Sequence, residues 1–253
     1  MRTGALGSMK VAFATLTALP VKVEWDSASA RGAVGYYPLV GLALGGVAWL
    51  VDAGFVYVGG RRAGALLLAS LAVAVWAGCT RLLHWDGLAD VADGYFADSP
   101  EERLRIMRDS HVGAFGVAAV SIVLLLEVSA LAAVISRWSL APLVFVPVFG
   151  RLAASFGGWF GRPARPEGLG ASITGAATVG SVAPAVLCVA LTGAVLAWMN
   201  PVAGTAVVVV GVVGAAIVPH LLSRRFGGVT GDVLGASILL VETLTAVVAA
   251  WLW

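Results

Sequence analysis

His84-Trp-Asp86-Gly-Leu-Ala-Asp90-Val-Ala-Asp93-Gly-Tyr-Phe96, followed by Ser99-Pro100-Glu-Glu-Arg103-Leu-Arg105-Ile-Met-Arg108-Asp109, is a polar island in a chain that is 60% hydrophobic. Seven carboxylates fall inside it, at positions 86, 90, 93, 98, 101, 102 and 109. On either side the chain is apolar for about twenty residues at a time, the length a helix needs to cross the hydrocarbon core of a bilayer. Runs at Val34–Val58 and 63–83 lead into the island; runs near 113–135, 139–160, 182–199, 202–219 and from Asp232 to Trp253 lead away from it. A mean hydropathy of +0.95 and a charged content of 12% agree, since soluble domains carry roughly 25% charged residues.

The expected fold is all-α: a polytopic membrane helix bundle of about seven transmembrane helices. It forms one integral membrane domain, 1–253, with a hydrophilic, acidic helical segment at about 84–112. Glycine-rich spans favour close helix contact, and no internal repeat points to a transporter built of inverted halves. Residues 9–31 carry Lys10, Lys22, Glu24, Asp26 and Arg31, too polar to span, and read as a surface or re-entrant helix ending at Pro20. The stretch from Gly4 to Pro20 lacks the apolar core of a cleavable signal peptide. Cys79 and Cys188 lie in separate apolar runs and read as small core residues rather than a disulfide. A formal net charge of +2 without a basic patch argues against nucleic acid as a partner.

Seven spans place the segments near 9–31, 84–112, 161–180 and 220–232 on one side of the membrane. The short turns near 61, 137 and 200 fall on the other. Thirteen of the sixteen Lys and Arg residues belong to the first side, with Arg61, Arg62 and Arg137 opposite. The positive-inside rule makes the loop-rich side cytoplasmic.

Asp86, Asp90 and Asp93 are spaced i, i+4, i+7, so a helix projects all three from one face. Like charges that close repel unless a cation draws them together. Mg²⁺ suits carboxylate oxygens and leaves room for substrate phosphates; the competing reading is a solvated helix face. Gly87 and Gly94 follow aspartates, where a backbone must come close to a ligand. Arg81, Arg103, Arg105 and Arg108 bracket the acids, as expected where metal and phosphoryl oxygens share a site. Asp109 is a candidate fourth metal ligand, the alternative being a salt-bridged loop residue. Asp232, after Gly227-Gly-Val-Thr-Gly231, opens the last span from a turn that either binds phosphate through backbone N–H groups or simply caps a helix. Glu127, Glu242 and Arg151 lie inside apolar runs, where ionisable groups are costly and mark function by default. Arg151 is expected to meet an anion, unless it snorkels to the interface. His84 and His111 flank the acids.

Thr17-Ala-Leu-Pro20-Val, Tyr37-Pro-Leu-Val-Gly41-Leu, His84 to Phe96, Ile106-Met-Arg-Asp-Ser110 with Gly113 and Gly116, Arg151, Glu167-Gly-Leu-Gly170, and Gly227 to Ala236 with Glu242 together resemble the cobalamin synthase family, the adenosylcobinamide-GDP ribazoletransferases. The likeness covers nearly the whole chain. One departure is Ala18, where relatives usually carry arginine. The resemblance implies a multi-pass inner-membrane enzyme that uses Mg²⁺ to join adenosylcobinamide-GDP to α-ribazole, or its 5′-phosphate, with release of GMP. On this reading Asp86, Asp90 and Asp93 are catalytic, and with Asp109 they hold the metal. His84, Arg105, Arg108, Arg151, Arg225 and Asp232 contact substrate. The acidic helix also looks distantly like that of CDP-alcohol phosphotransferases, whose longer Asp-Gly to Asp spacing and Ala-Arg pair are missing here. A lipid-headgroup transferase is the first alternative and a membrane transporter the second.

Overall fold

The computed structural model describes residues 4–23, 25–59, 64–109, 111–137 and 139–253. Arg2, Glu24, Arg61, Arg62 and Ser110, used above, lie outside them. Among the described residues twelve helices follow one another: α1 (Ala5–Leu16), α2 (Ser27–Ala33), α3 (Tyr37–Gly59, after a 3₁₀ turn at Val34–Tyr36), α4 (Ala65–Cys79), α5 (Leu83–Gly94), α6 (Pro100–Ile106), α7 (Ala114–Ile135), α8 (Ala141–Phe160), α9 (Leu169–Ile173), α10 (Val179–Met199), α11 (Pro201–Arg225) and α12 (Gly231–Leu252). Among the described residues the only β pairing is an isolated bridge between Pro163 and Val229. The architecture is the all-α bundle that the apolar runs predict.

Among the described residues six helices are long and apolar enough to cross a membrane, and the bent pair α4–α5 brings the number to as many as seven. The most apolar 18-residue stretches of α8 and α12 are 78% and 72% buried, against 22–33% in the other four helices, so these two form the axis of the bundle. Helices α3, α11 and α12 pack along α8, and α5, α7 and α11 pack along α12. Close approach comes from missing side chains: a Cβ on Gly41 would stand 2.9 Å from the Val148 backbone of α8. Leu50, Leu125, Leu187 and Leu191 point away from the bundle, as lipid contact requires. The amino end, expected to be one polar helix, is two short ones. Asp26 caps the second by accepting from the N–H groups of Ala28 and Ser29, both at 2.9 Å.

The apolar run expected at 63–83 is the one that departs from a simple span. Helix α4 has 15 residues, about 22 Å at 1.5 Å per residue, and α5 leaves it at an angle of 89°. The break is a Schellman-type stop: Leu82 N–H donates to Ala77 O at 2.8 Å and Arg81 N–H to Gly78 O at 3.2 Å. The Thr80 hydroxyl adds a bond to Trp76 O at 2.9 Å. Arg81 (φ 52°) and Leu82 (φ 60°) both occupy the left-handed region, where glycine is usual. Beyond the break the first turn of α5 stays inside the bundle, and from Asp86 onward the helix runs over the bundle's end, beside the start of α12.

Candidate active site

Helix α5 is amphipathic because its apolar positions recur at helical spacing. Leu88 and Val91 are buried with Met107, Leu222, Phe226, Val233 and Ala236, which leaves Asp86 exposed and Asp90 and Asp93 half-buried on the other side. Gly87 and Gly94 belong to this packing. A Cβ on Gly87 would lie 2.9 Å from Asp232 Cα and O, and one on Gly94 3.1 Å from Arg103 O. The backbone that comes close to these glycines is thus the protein's own, which corrects the expectation of a ligand there.

The contact at Gly87 has a functional result, for it seats Asp232 against the acidic helix. Thr230 caps α12, its Oγ1 accepting from Val233 N–H at 3.1 Å. The turn before Asp232 is therefore a helix cap rather than a ring of free backbone donors. Asp90 now stands in the field of Asp232, Asp86 and Asp93. Burial first, and these three carboxylates after it, push the Asp90 carboxyl up to about 7, with Arg165 acting in the opposite sense.

Arg165 is the cation that sequence reasoning missed. The loop carrying it is fastened to the loop before α12: Ala164 N–H donates to Val229 O at 3.1 Å and Val229 N–H to Arg162 O at 2.7 Å. Gly228, at φ 154°, is required there, since a Cβ would meet Pro163 C at 2.7 Å. Arg165 Nη2 donates to Leu104 O at 3.0 Å, and its charge bears on both Asp90 and Asp232. In the sequence it is one arginine in a Gly/Pro/Arg loop, and no local signal distinguishes it.

The other predicted residues are engaged elsewhere. The two carboxylate oxygens of Asp93 accept from Gly113 N–H at 2.7 Å and Gly116 N–H at 2.8 Å, so Asp93 caps α7. Asp109 is exposed and bonded to His111, at 3.0 Å from the backbone N–H and 2.7 Å from Nδ1, contacts that hold its carboxyl below the usual range. Arg105 pairs with Glu102 at 2.6 Å, and Arg108 is exposed. Arg103 is buried, donating at 2.8 Å to Arg225 O. Arg225 donates to Tyr95 O at 2.9 and 3.1 Å and lies 5.3 Å over the Tyr95 ring. Arg151 does meet an anion, but one of the protein's own: it is buried in an ion pair with Glu242. His84 is 2% exposed, with Nδ1 3.4 Å from Arg151 Nη2. As placed, both Arg151 and His84 are buried within the bundle. Among the described residues no group of three or more His, Cys, Asp or Glu side chains is gathered closely enough to hold a metal ion; Asp86, Asp90 and Asp232 are neighbours that do not converge on one point.

Fold and site together define a polytopic membrane protein with a carboxylate-lined polar site at one end of its bundle, faced by a single arginine. The chain belongs to the cobalamin-5-phosphate synthase family, whose pattern matches residues 8–250. Among its relatives, the adenosylcobinamide-GDP ribazoletransferase of Frankia casuarinae is 37% identical over 260 residues, covering 95% of this chain and 93% of its own length. The protein of that name from Syntrophobacter fumaroxidans is 40% identical, covering 86% of each chain. The one from Acinetobacter baumannii strain ACICU is 34% identical, covering 92% of this chain. No solved structure matches.

Proposed function

We propose that this chain joins adenosylcobinamide-GDP to α-ribazole, or its 5′-phosphate, and releases GMP. A ribose hydroxyl oxygen that is free in both α-ribazole and its 5′-phosphate attacks the phosphorus that bears the cobinamide arm, a new P–O bond forms, and the bond to the GMP oxygen breaks. Asp90 accepts the hydroxyl proton, because a carboxyl that titrates at about 7 is matched to proton transfer near neutral pH. Arg165 binds the diphosphate and offsets the charge left on GMP. The observation that carries the reading is the meeting of Asp86, Asp90 and Asp232 with Arg165 at one end of the bundle, in a chain of this family.

The donors are hard carboxylate oxygens of the kind Mg²⁺ takes, and several of them repel one another against one guanidinium, but as placed they do not converge on one point. Drawn together, Asp86 and Asp232 would hold Mg²⁺ beside Asp90, and it would supply neutralisation of charge on the diphosphate. The end of the bundle that carries the site faces the cytoplasm of a bacterial inner membrane, a reading supported by the excess of Lys and Arg on that side.

The test is purified protein with adenosylcobinamide-GDP, α-ribazole and Mg²⁺, following GMP. Release is expected from the wild type, with losses of about 10²-fold or more for Asp86→Asn and Asp90→Asn in protein that stays monodisperse in detergent. Full release by either variant, or turnover of CDP-alcohols in place of adenosylcobinamide-GDP, would overturn the proposal.

A further inference from the structure

The proposed chemistry does not use the charges buried in the middle of the bundle. Arg151 sits ten residues from the start of α8 and nine from its end, about 15 and 14 Å along the helix, where an ionisable group is expensive and persists only with a partner. Its partners come from several helices: Glu242 of α12 in an ion pair, and His84 at the head of α5. Glu127 of α7, 1% exposed, has no hydrogen-bond partner for either oxygen. Trp76 Nε1, His84 Nε2 and Arg151 Nε are likewise buried and unpaired. All of these residues line one small cavity of about 10 Å³, which is about the space of one water molecule. Five helices therefore meet at a polar junction whose groups complement one another: two carboxylates against one guanidinium, an imidazole and an indole N–H.

The junction lies where the acidic helix begins. The break before α5 puts two successive non-glycine residues, Arg81 and Leu82, in the left-handed region, a conformation that persists only where the surroundings impose it. Contacts from the bundle also act on α5. What grips its first turn is Arg151 on His84, together with α12, where a Cβ on Gly235 would stand 3.2 Å from His84 Cα. Asp86 and Asp90 follow His84 by two and six positions.

We infer that Arg151, with Glu127 and Glu242 around it, is a positioning residue: by holding His84 it sets the direction of α5 and hence the placement of Asp86 and Asp90 beside Asp232. The inference rests on the phosphoryl-transfer reading for what is positioned, but not for the positioning itself. Arg151→Lys keeps the charge and loses the planar fork, and Glu127→Gln keeps the shape and loses the charge.

Hydrogen exchange followed by mass spectrometry, on the full chain in detergent, should show amides of 83–94 exchanging at least about fivefold faster in either variant, with α10 and α11 unchanged. GMP release should fall about tenfold to a hundredfold with KM for adenosylcobinamide-GDP within about threefold, since a displaced catalytic group costs turnover before binding. Exchange in 83–94 equal to wild type, or faster exchange spread over every helix, would overturn the inference. Should the wild type release no GMP from these substrates, the proposed function falls while the exchange result still decides the positioning.

Discussion

Asp90 shows how a residue legible in the sequence acquires its chemistry only from the fold. The i, i+4 pattern gives Asp86 and Asp90 a common face, but the crowding that raises the Asp90 carboxyl also needs Asp232, 142 positions later. An unfolded chain gives up this proton near 3.8 and the folded one near 7. Between those values the folded state binds more protons, so this group makes stability fall as pH rises through the window and stay lower above it. Asp90→Asn lacks the penalty. In metal-free protein the variant should melt higher than wild type at pH 8, with the gap closing by pH 4; added Mg²⁺ should raise the wild type more than the variant. A scan of Tm against pH with chelator present checks this, and a gap independent of pH would contradict it. Arg165 and Asp93 mark the limit of sequence reading at this scale. Nothing local tells Arg165 from Arg162, and Asp93 shares the spacing of its neighbours yet spends its oxygens on the amino end of α7.

Among the elements, the spans were readable because about twenty apolar residues in lipid admit little but a helix. The start of α6 was readable too: Ser99 accepts from Glu102 N–H at 3.1 Å and Pro100 takes the first turn. The break between α4 and α5 was hidden, since Arg81 and Leu82 adopt a conformation that sequence rules reserve for glycine or asparagine. The glycines of α5 were visible but misleading, because close approach by a helix and by a ligand ask for the same missing Cβ. Gly87→Ala should lower stability by about 1–3 kcal/mol through overpacking against Asp232 and reduce turnover. Gly46→Ala, whose Cβ would find no atom within 4 Å, should instead be neutral or stabilise by up to about 1 kcal/mol. Paired thermal melts in the same detergent compare them, and equal shifts would refute the packing account.

For the molecule as a whole, the succession of long apolar helices was legible, as it follows from counting apolar runs. The arrangement around α8 and α12 was not, because hydropathy does not sort the runs: α8 is the least apolar at 1.4, but α12 at 2.1 equals the poorly buried α10, and only packing shows which are wrapped by the rest. Orientation gives a prediction at this scale. In a cysteine-free background, Glu101→Cys should react with an impermeant maleimide only in inverted vesicles, and Ser136→Cys only in intact spheroplasts. The reverse pattern would turn the protein over and put the site out of reach of cytoplasmic nucleotides.

The bridge between Pro163 and Val229 ties the connection after α8 to the connection before α12, and it makes those two stretches a single hinge plate. Each grips the other through main-chain bonds, so their lengths are not independent variables. A variant that inserts residues into one of them must accommodate the other in step or release Arg165 from its station, whereas the turns at the far end of the bundle can grow or shrink one at a time.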